Sequence, residues 1–253
     1  AEIYATPAVG QLDEDAELEI VVGTESGLVY ALNPDGSMVE GIWPVQLPQL
    51  IRSSAAIGDL DGDGFNEVVV GCFDQNIYAF DSSGASLPGW PVNTGGTITS
   101  SAALVNLDEN RETREVVIGS SDGYLYALTA AGQPAGASWP VQLAGYEQGR
   151  NDADSSPSVA DFDGDGRFEI ITGSDGGYLH ALSSDGHYLP GWPIETGGEV
   201  FSSAAIGDLD GDGVPEILIG SDAGSQQGQR RSILYGLEID GSDLPGFPVE
   251  YSI

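Results

Sequence analysis

Acidic residues stand at Asp59, Asp61 and Asp63 and again at Glu67, inside the stretch DLDGDGFNEVVVG. If that stretch curls into a loop, its carboxylates ring one centre, and clustered oxygen ligands suit Ca²⁺ better than Mg²⁺, which keeps a small octahedral shell and its waters. The pattern returns as Asp161, Asp163, Asp165 and Glu169, and as Asp208, Asp210, Asp212 and Glu216. The seventh residue of each loop, Phe65, Arg167 or Val214, is expected to add its backbone carbonyl. Gly64, at the sixth place, falls where a sharp turn needs positive φ, which glycine takes without a Cβ penalty.

An EF-hand does not fit. Its loop needs a bidentate acid at position twelve and a helix on either side, whereas position twelve here is Val70 within a β-branched run. Two further loops are degenerate. In the first, Gln11 replaces the opening acid and Ala16 the turn glycine, leaving Asp13, Asp15, Glu17 and Glu19 for a weaker site. A non-glycine turn there is expected to cost on the order of 1 kcal/mol. In the other, Asn106, Asp108 and Asn110 precede Arg111 and Arg114, with one extra residue before Glu115. That loop reads as metal-free, with arginine supplying the positive charge.

The loops need a scaffold of strands and turns. The 37 glycines and 14 prolines among 253 residues point to tight turns rather than helices. Aligning on the acidic loops gives five repeats beginning at Gln11, Asp59, Asn106, Asp161 and Asp208, with steps of 48, 47, 55 and 47 residues. A period near 47 built of short apolar segments reads as one propeller blade per repeat. The blades run approximately over 1–50, 51–97, 98–152, 153–199 and 200–253, in a single domain.

Each repeat holds four strands. Strand A is small-residue (ATPAV, SSAAI, SSAAL, SSPSV, SSAAI) and is placed at the axis, where blades crowd. Strand B follows the loop (EIVVG, EVVVG, EVVIG, EIITG, EILIG) and is apolar enough to be covered on both faces. Strand C is LVYAL, NIYAF, YLYAL, YLHAL and ILYGL. The Pro-containing strand D (GIWPV, PGWPV, ASWPV, PGWPI, PGFPV) suits the outer edge, where a missing N–H costs little. The fold class is therefore all-β, a five-bladed β-propeller of four-stranded antiparallel blades.

On these motifs the chain resembles the FG-GAP repeats of the integrin α-subunit propeller and the bacterial VCBS repeats over essentially its whole length. The resemblance implies calcium loops between strands A and B, and an adhesion role. It departs in number, since the integrin propeller has seven blades. Because the first repeat starts at strand A and the last ends at strand D, closure of five blades into a narrow ring is the expectation, with a larger propeller as the alternative.

Net charge is −33, from 40 acids against 7 arginines, which repels nucleic acid and anionic lipid. Cys72 is the sole cysteine, so packing and metal must stabilise the fold without an intrachain disulfide. No apolar run reaches the roughly 18 residues of a membrane-spanning helix, and no signal peptide begins at Ala1, as in a mature or trimmed chain. A Ca²⁺-dependent module belongs outside the cell, where calcium is plentiful. The expectation is a secreted or cell-surface monomeric domain.

Loops A–B and C–D share one face of a propeller, and loops B–C and D–A the other. Two insertions fall on the face opposite the metals, at Asp222–Ser232 and around Ala144–Asp154. They carry Tyr146, Arg150, Arg230 and Arg231, and are expected to bind a protein or glycan partner. Neither GxSxG, HExxH nor CxxC occurs, and no catalytic residue is assigned. His180 replaces the Tyr of strand C and reads as core, and His187 reads as a turn residue. Trp43, Trp90, Trp139, Trp192 and Phe247 share a column, which argues for packing between blades over sugar stacking. A carbohydrate-binding propeller is the second reading, and a polysaccharide-degrading enzyme the third.

Overall fold

Small residues and Val/Ile runs punctuated by Gly turns fold here into five antiparallel sheets around a common axis. The computed structural model describes residues 2–13, 15–108, 110, 112–145, 152–226 and 229–252. Blade one comprises β1 (Ala8–Gly10), β2 (Glu19–Gly23), β3 (Leu28–Leu32) and β4 (Val45–Gln46). Blade two comprises β5 (Ala56–Gly58), β6 (Glu67–Gly71), β7 (Asn76–Phe80) and β8 (Val92–Asn93). Blade three comprises β9 (Ala103–Val105), β10 (Glu115–Gly119), β11 (Tyr124–Leu128) and β12 (Val141–Gln142). Blade four comprises β13 (Ser158–Ala160), β14 (Glu169–Ser174), β15 (Tyr178–Leu182) and β16 (Ile194–Glu195). Blade five comprises β17 (Ala205–Gly207), β18 (Glu216–Gln226), β19 (Gln229–Leu237) and β20 (Val249–Ser252). Strands pair in sequence order within every blade, as expected for a five-bladed β-propeller of four-stranded blades.

The core lies between blades. Four apolar clusters each join two consecutive blades: one and two, two and three, three and four, four and five. One feature recurs at every joint. A glycine of strand B makes room for the aliphatic residue that precedes the next blade's strand A, so that Ile51 sits over Gly23, Ile98 over Gly71, Ala153 over Gly119 and Val200 over Gly173. A Cβ on Gly71 would lie 2.1 Å from Ile98 Cγ2, closer than any real contact. Hydroxyls stitch the axis: the Thr6, Ser54 and Ser101 N–H groups donate to Ser54, Ser101 and Ser156 Oγ at 3.0, 3.0 and 2.9 Å.

The tryptophan column packs between blades as expected. Trp43, Trp90, Trp139 and Trp192 each donate Nε1–H to a carbonyl of the following blade, those of Ser82, Ala130, Ser184 and Ile239, at 2.8–3.4 Å.

Among the described residues the joint that would close the ring between blades five and one is not made. Among the described residues no apolar cluster joins blade five to blade one. Gly220, the counterpart of Gly71, meets only Ser202 Oγ and Ile233 O, and Gly207, the counterpart of Gly10, meets nothing within 4 Å. Joints of this kind depend on both partners' faces, so complete repeats at the two ends do not by themselves close a ring.

The insertion in blade five is a strand extension rather than a loop. β18 and β19 keep pairing out to Gln226 and Gln229, with an irregularity between Asp222 and Ser225. Arg231 is held there by Glu250, Nε to Oε1 2.5 Å, which keeps the guanidinium pKa above and the carboxylate pKa below their ordinary values. Tyr146, Arg150, Arg111 and the Arg230 side chain lie outside the described residues.

Candidate metal centres and the opposite face

Each acidic loop is anchored by the glutamate that opens strand B. Alternation in that strand points this residue inward, and Glu19, Glu67, Glu115, Glu169 and Glu216 are all buried. One oxygen of each, Oε2, accepts the N–H of the residue after the loop's first position: Leu12, Leu60, Leu107, Phe162 or Leu209. In Glu19, Glu67, Glu169 and Glu216 the carboxylate also joins a cluster with the loop's aspartates.

In the three complete loops the opening aspartate grips the turn. Asp59 accepts Gly62 and Gly64 N–H at 2.8 and 3.2 Å, Asp161 accepts Gly164 and Gly166 at 2.8 and 2.9 Å, and Asp208 accepts Gly211 and Gly213 at 2.7 and 3.1 Å. The sixth-place glycines, Gly64, Gly166 and Gly213, have φ of +93°, +87° and +93°, as the sequence required.

Four clusters of carboxylates result, each with ligand-type oxygens within 4.8 Å of one another: Asp59, Asp61 and Glu67; Asp161, Asp163 and Glu169; Asp208, Asp210, Asp212 and Glu216; Asp13, Asp15 and Glu19. Asp63 and Asp165 stand outside their clusters and accept the N–H of Phe65 and Arg167 at 2.8 and 2.7 Å. Glu17 likewise lies outside the first cluster, with its N–H on Asp15 Oδ1.

The residues present fit a hard cation. Glu19 Oε1 and Glu216 Oε1 are buried and meet no donor, although both sit in carboxylate clusters. A buried anionic oxygen without a partner carries a large desolvation cost, which a divalent cation removes. Without metal, burial and the carboxylates of Asp61, Asp63 and Asp59 push the Glu67 pKa up to about 7. Glu115 and Glu169 are also raised, chiefly by burial.

The degenerate loops are tied by amides. In the third loop Arg111, expected to supply positive charge there, lies outside the described residues, and Asn106 Nδ2 donates to the Asn110 and Thr113 carbonyls. Gln11 does the same in the first loop, donating Nε2–H to the Asp13 and Asp15 carbonyls, both at 2.6 Å. Ala16 is not among the residues with positive φ, so the strain expected for a non-glycine turn is absent.

The opposite face holds groups the motif search passed over. The residue just before the axial hydroxyl column is Tyr4, Arg52, Thr99, Asp154 or Phe201, aromatic, cationic, hydroxylic or acidic between an aliphatic column and a small-residue column. That contrast is the signal in the sequence that would have marked them. Arg52 pairs with Glu25 at 2.8 Å and lies over the rings of Tyr4 and Phe73, 5.3 and 5.4 Å from their centroids. At the start of blade four Asp152, Asp154 and Asp175 converge, and the Thr99 hydroxyl donates to Asp154. Burial, then Asp154, Asp152 and Glu199, push the Asp175 pKa up to about 7.

The two histidines differ in environment. His180 is fully buried between Ser174 Oγ and Tyr188 Oη, at 3.0 and 2.9 Å, and burial lowers its pKa to about 3. His187 makes an exposed pair with Asp185.

Comparison with known proteins agrees with this architecture. An FG-GAP-like repeat matches residues 161–219. No curated protein sequence matches the chain. Among solved structures, the Vibrio cholerae biofilm matrix protein Bap1 is similar at 22% identity and a TM-score of 0.69, over 95% of this chain and 38% of that one. The C-terminal domain of Pseudomonas aeruginosa PilY1 is similar at 15% identity and 0.67, over 90% and 60%. A quinohemoprotein alcohol dehydrogenase of Comamonas testosteroni is similar at 17% and 0.66, over 96% and 42%. The chain thus spans less than two thirds of each of these chains, and at such identities the likeness is one of fold. The lambda-carrageenase beta-propeller domain matches residues 19–158, more than half of the sequence, and the chain belongs to that family.

Proposed function

We propose that the chain is a calcium-dependent binding and adhesion module of a secreted or cell-surface protein, with Ca²⁺ on one face and a protein or glycan ligand on the other. The observation that carries the metal reading is the pair of buried, donor-free oxygens Glu19 Oε1 and Glu216 Oε1, each within a convergent carboxylate cluster. The ligand reading rests on Arg52, Tyr4 and Phe73, a cationic and aromatic group in a chain of net charge −33, on the face away from the metals.

Metal would contribute to stability. At a calcium concentration 100-fold above the dissociation constant, each site adds about 2.7 kcal/mol. Three sites are then comparable with the whole stability of a typical domain, about 5 to 15 kcal/mol. Cytosolic calcium is too scarce to fill loops of moderate affinity, which favours an extracellular home.

Calorimetric titration of chelated protein tests the metal reading. Firm binding is expected at the Asp59, Asp161 and Asp208 loops, weaker binding at the Asp13 loop and none at Asn106. Asp61→Ala, Asp163→Ala and Asp210→Ala should each lower the melting temperature in calcium and hardly in EDTA. Melting curves indifferent to calcium would overturn it. For the ligand, Tyr4→Ala with Arg52→Ala should weaken capture and leave calcium uptake intact, and a footprint on the calcium face would refute that placement.

A second reading, recognition of a polysaccharide on behalf of a degrading enzyme, is favoured by the family match. A glycan array read with and without EDTA separates it from protein adhesion, and reducing-end release from acidic polysaccharides would show activity in the chain itself.

A further inference from the structure

On the face of the acidic loops, three joints between blades carry a cleft walled by the C–D turns of two consecutive blades. Two of these are small and mainly apolar. The cleft between blades two and three holds about 190 Å³ beside Leu87 and Pro88, and that between blades four and five about 230 Å³ beside Leu189 and Pro190. The cleft between blades three and four is larger, about 280 Å³, and differs in chemistry. Its size lies just under that of small-molecule sites, about 300–1,000 Å³, and suits a ligand of one ring.

Two departures from the repeat open it. Blade three reads PAGASW where blades two and four read SLPGW and YLPGW. Ala135 takes the place of Leu87 and Leu189, since the three N–H groups donate to equivalent strand C carbonyls, those of Ala127, Ala79 and Ala181. A leucine side chain is thereby withdrawn from the wall. The acidic loop at this joint is the amide-tied one, and among the described residues Asp108 and Glu115 belong to no convergent carboxylate cluster. Both line the cleft. Glu115 is only 2% exposed, and while its Oε2 accepts the Leu107 N–H, its Oε1 meets no donor among the described residues. A buried carboxylate oxygen without a donor is costly, and a ligand hydroxyl would remove that cost.

The facing wall comes from blade four. Its turn is held against Trp139, which donates Nε1–H to Ser184 O at 3.4 Å, and Gly186 approaches so closely that a Cβ there would lie 3.2 Å from Trp139 Cε2. The turn brings Asp185 and His187, paired at 3.2 Å, to the cleft, where Arg167 also lies. Carboxylates that do not converge give no metal site. Three of them disfavour an anion, and Arg167 with His187 disfavours a cation. A neutral ring bearing several hydroxyls meets acceptors and donors together, and lays its C–H face on the apolar wall of Leu107, Ala135 and Trp139.

We propose that the cleft between blades three and four binds one neutral monosaccharide unit, with hydroxyls donating to Glu115 and Asp108 and the ring against Ala135 and Trp139. This deepens the polysaccharide reading given above and rests on it, while placing a sugar on the acidic-loop face, apart from the Arg52 group.

Saturation-transfer NMR and calorimetry of the calcium-loaded chain test it, with the methyl glycosides of glucose, galactose and mannose as probes, and galactose 6-sulfate and glucosamine as charged comparisons. At least one neutral glycoside is expected to bind, and more tightly than either charged sugar. Ala135→Leu restores the leucine of the neighbouring clefts and should weaken binding at least about ten-fold, with melting temperature and calcium uptake kept. Glu115→Gln keeps the shape and an oxygen for the Leu107 N–H, and should weaken binding about ten-fold, as for loss of a hydrogen bond to a charged group. Circular dichroism reports the folding of each variant, and Glu115→Gln decides if Ala135→Leu does not fold. Binding that both variants leave intact would keep the polysaccharide reading and overturn this site. Binding by no neutral glycoside would overturn both, and binding confined to the sulfated or the amino sugar would overturn the ligand class.

Discussion

Between blades two and three, Ile98 fills the notch over Gly71, Leu60 is sealed and Trp90 reaches across to Ala130 O. At the far side of blade five the same columns hold Gly220, Leu209 and Phe247, and there the notch is empty and the leucine exposed. The two regions are alike in sequence and opposite in environment. Burial in a stacked-repeat protein is thus a property of the neighbour as much as of the residue, as nearest-neighbour energetics requires.

Paired substitutions would sharpen or break that contrast. The largest effect is expected at the loop leucines: Leu60→Ala should cost about 2–5 kcal/mol, as for a fully buried leucine, and Leu209→Ala less than about 1. Equal costs in chemical denaturation would show that blade five is covered in solution. Next come the glycines. Gly71→Ala drives a Cβ into Ile98 and should destabilise by about 1–3 kcal/mol, whereas Gly220→Ala meets open space and should be neutral or stabilise by up to about 1.

A smaller effect is expected in the aromatic column. Trp90→Phe removes the Nε1–H bond to Ala130 O and leaves that carbonyl short of a donor, a loss of about 1 kcal/mol. Phe247→Trp, on the bare face of blade five, should change the melting temperature of this chain little.

The smallest effect concerns pH. Tyr126 and Tyr235 reach back to carbonyls of the preceding blade, Thr94 O and Thr196 O, while His180 in the same column bonds inside its own blade to Ser174 and Tyr188. His180 stays neutral in the fold, with its pKa lowered by burial to about 3 from 6.5, so the unfolded chain binds the extra proton between those values. Its contribution is intact above pH 6.5 and is lost progressively as pH falls toward 3. His180→Gln should lower the melting temperature at neutral pH, and its gap from wild type should narrow on acidification. A gap independent of pH would count against a neutral buried imidazole.

The two classes of acidic loop extend the same lesson. Asp59, Asp161 and Asp208 grip their turns through glycine N–H groups and leave carboxylates converging on a centre. In the degenerate loops Gln11 and Asn106 replace that aspartate with an amide that donates, so the turn is held from within. The sequence marked both loops as exceptions, but not the amide ties that hold them, because charge is visible in a sequence and the aim of an amide is not.

Much of this protein was written in local patterns. Strands of four kinds, turns at fixed offsets and acids two residues apart are short-range features, and short-range features survive translation into one dimension. Hence the blade count, the strand order, the acidic loops with their glycine turns and the packing role of the Trp column were legible from residues such as Glu67, Gly64 and Trp90. What the tertiary structure decided lies between repeats: the unmade joint of Ile3 and Gly220, the convergence of Asp152, Asp154 and Asp175, the Arg52 stack on Tyr4 and Phe73, and the strand extension that ties Arg231 to Glu250. Each depends on the curvature accumulated over several blades or on a partner far along the chain, and neither is encoded in the spacing of any one repeat.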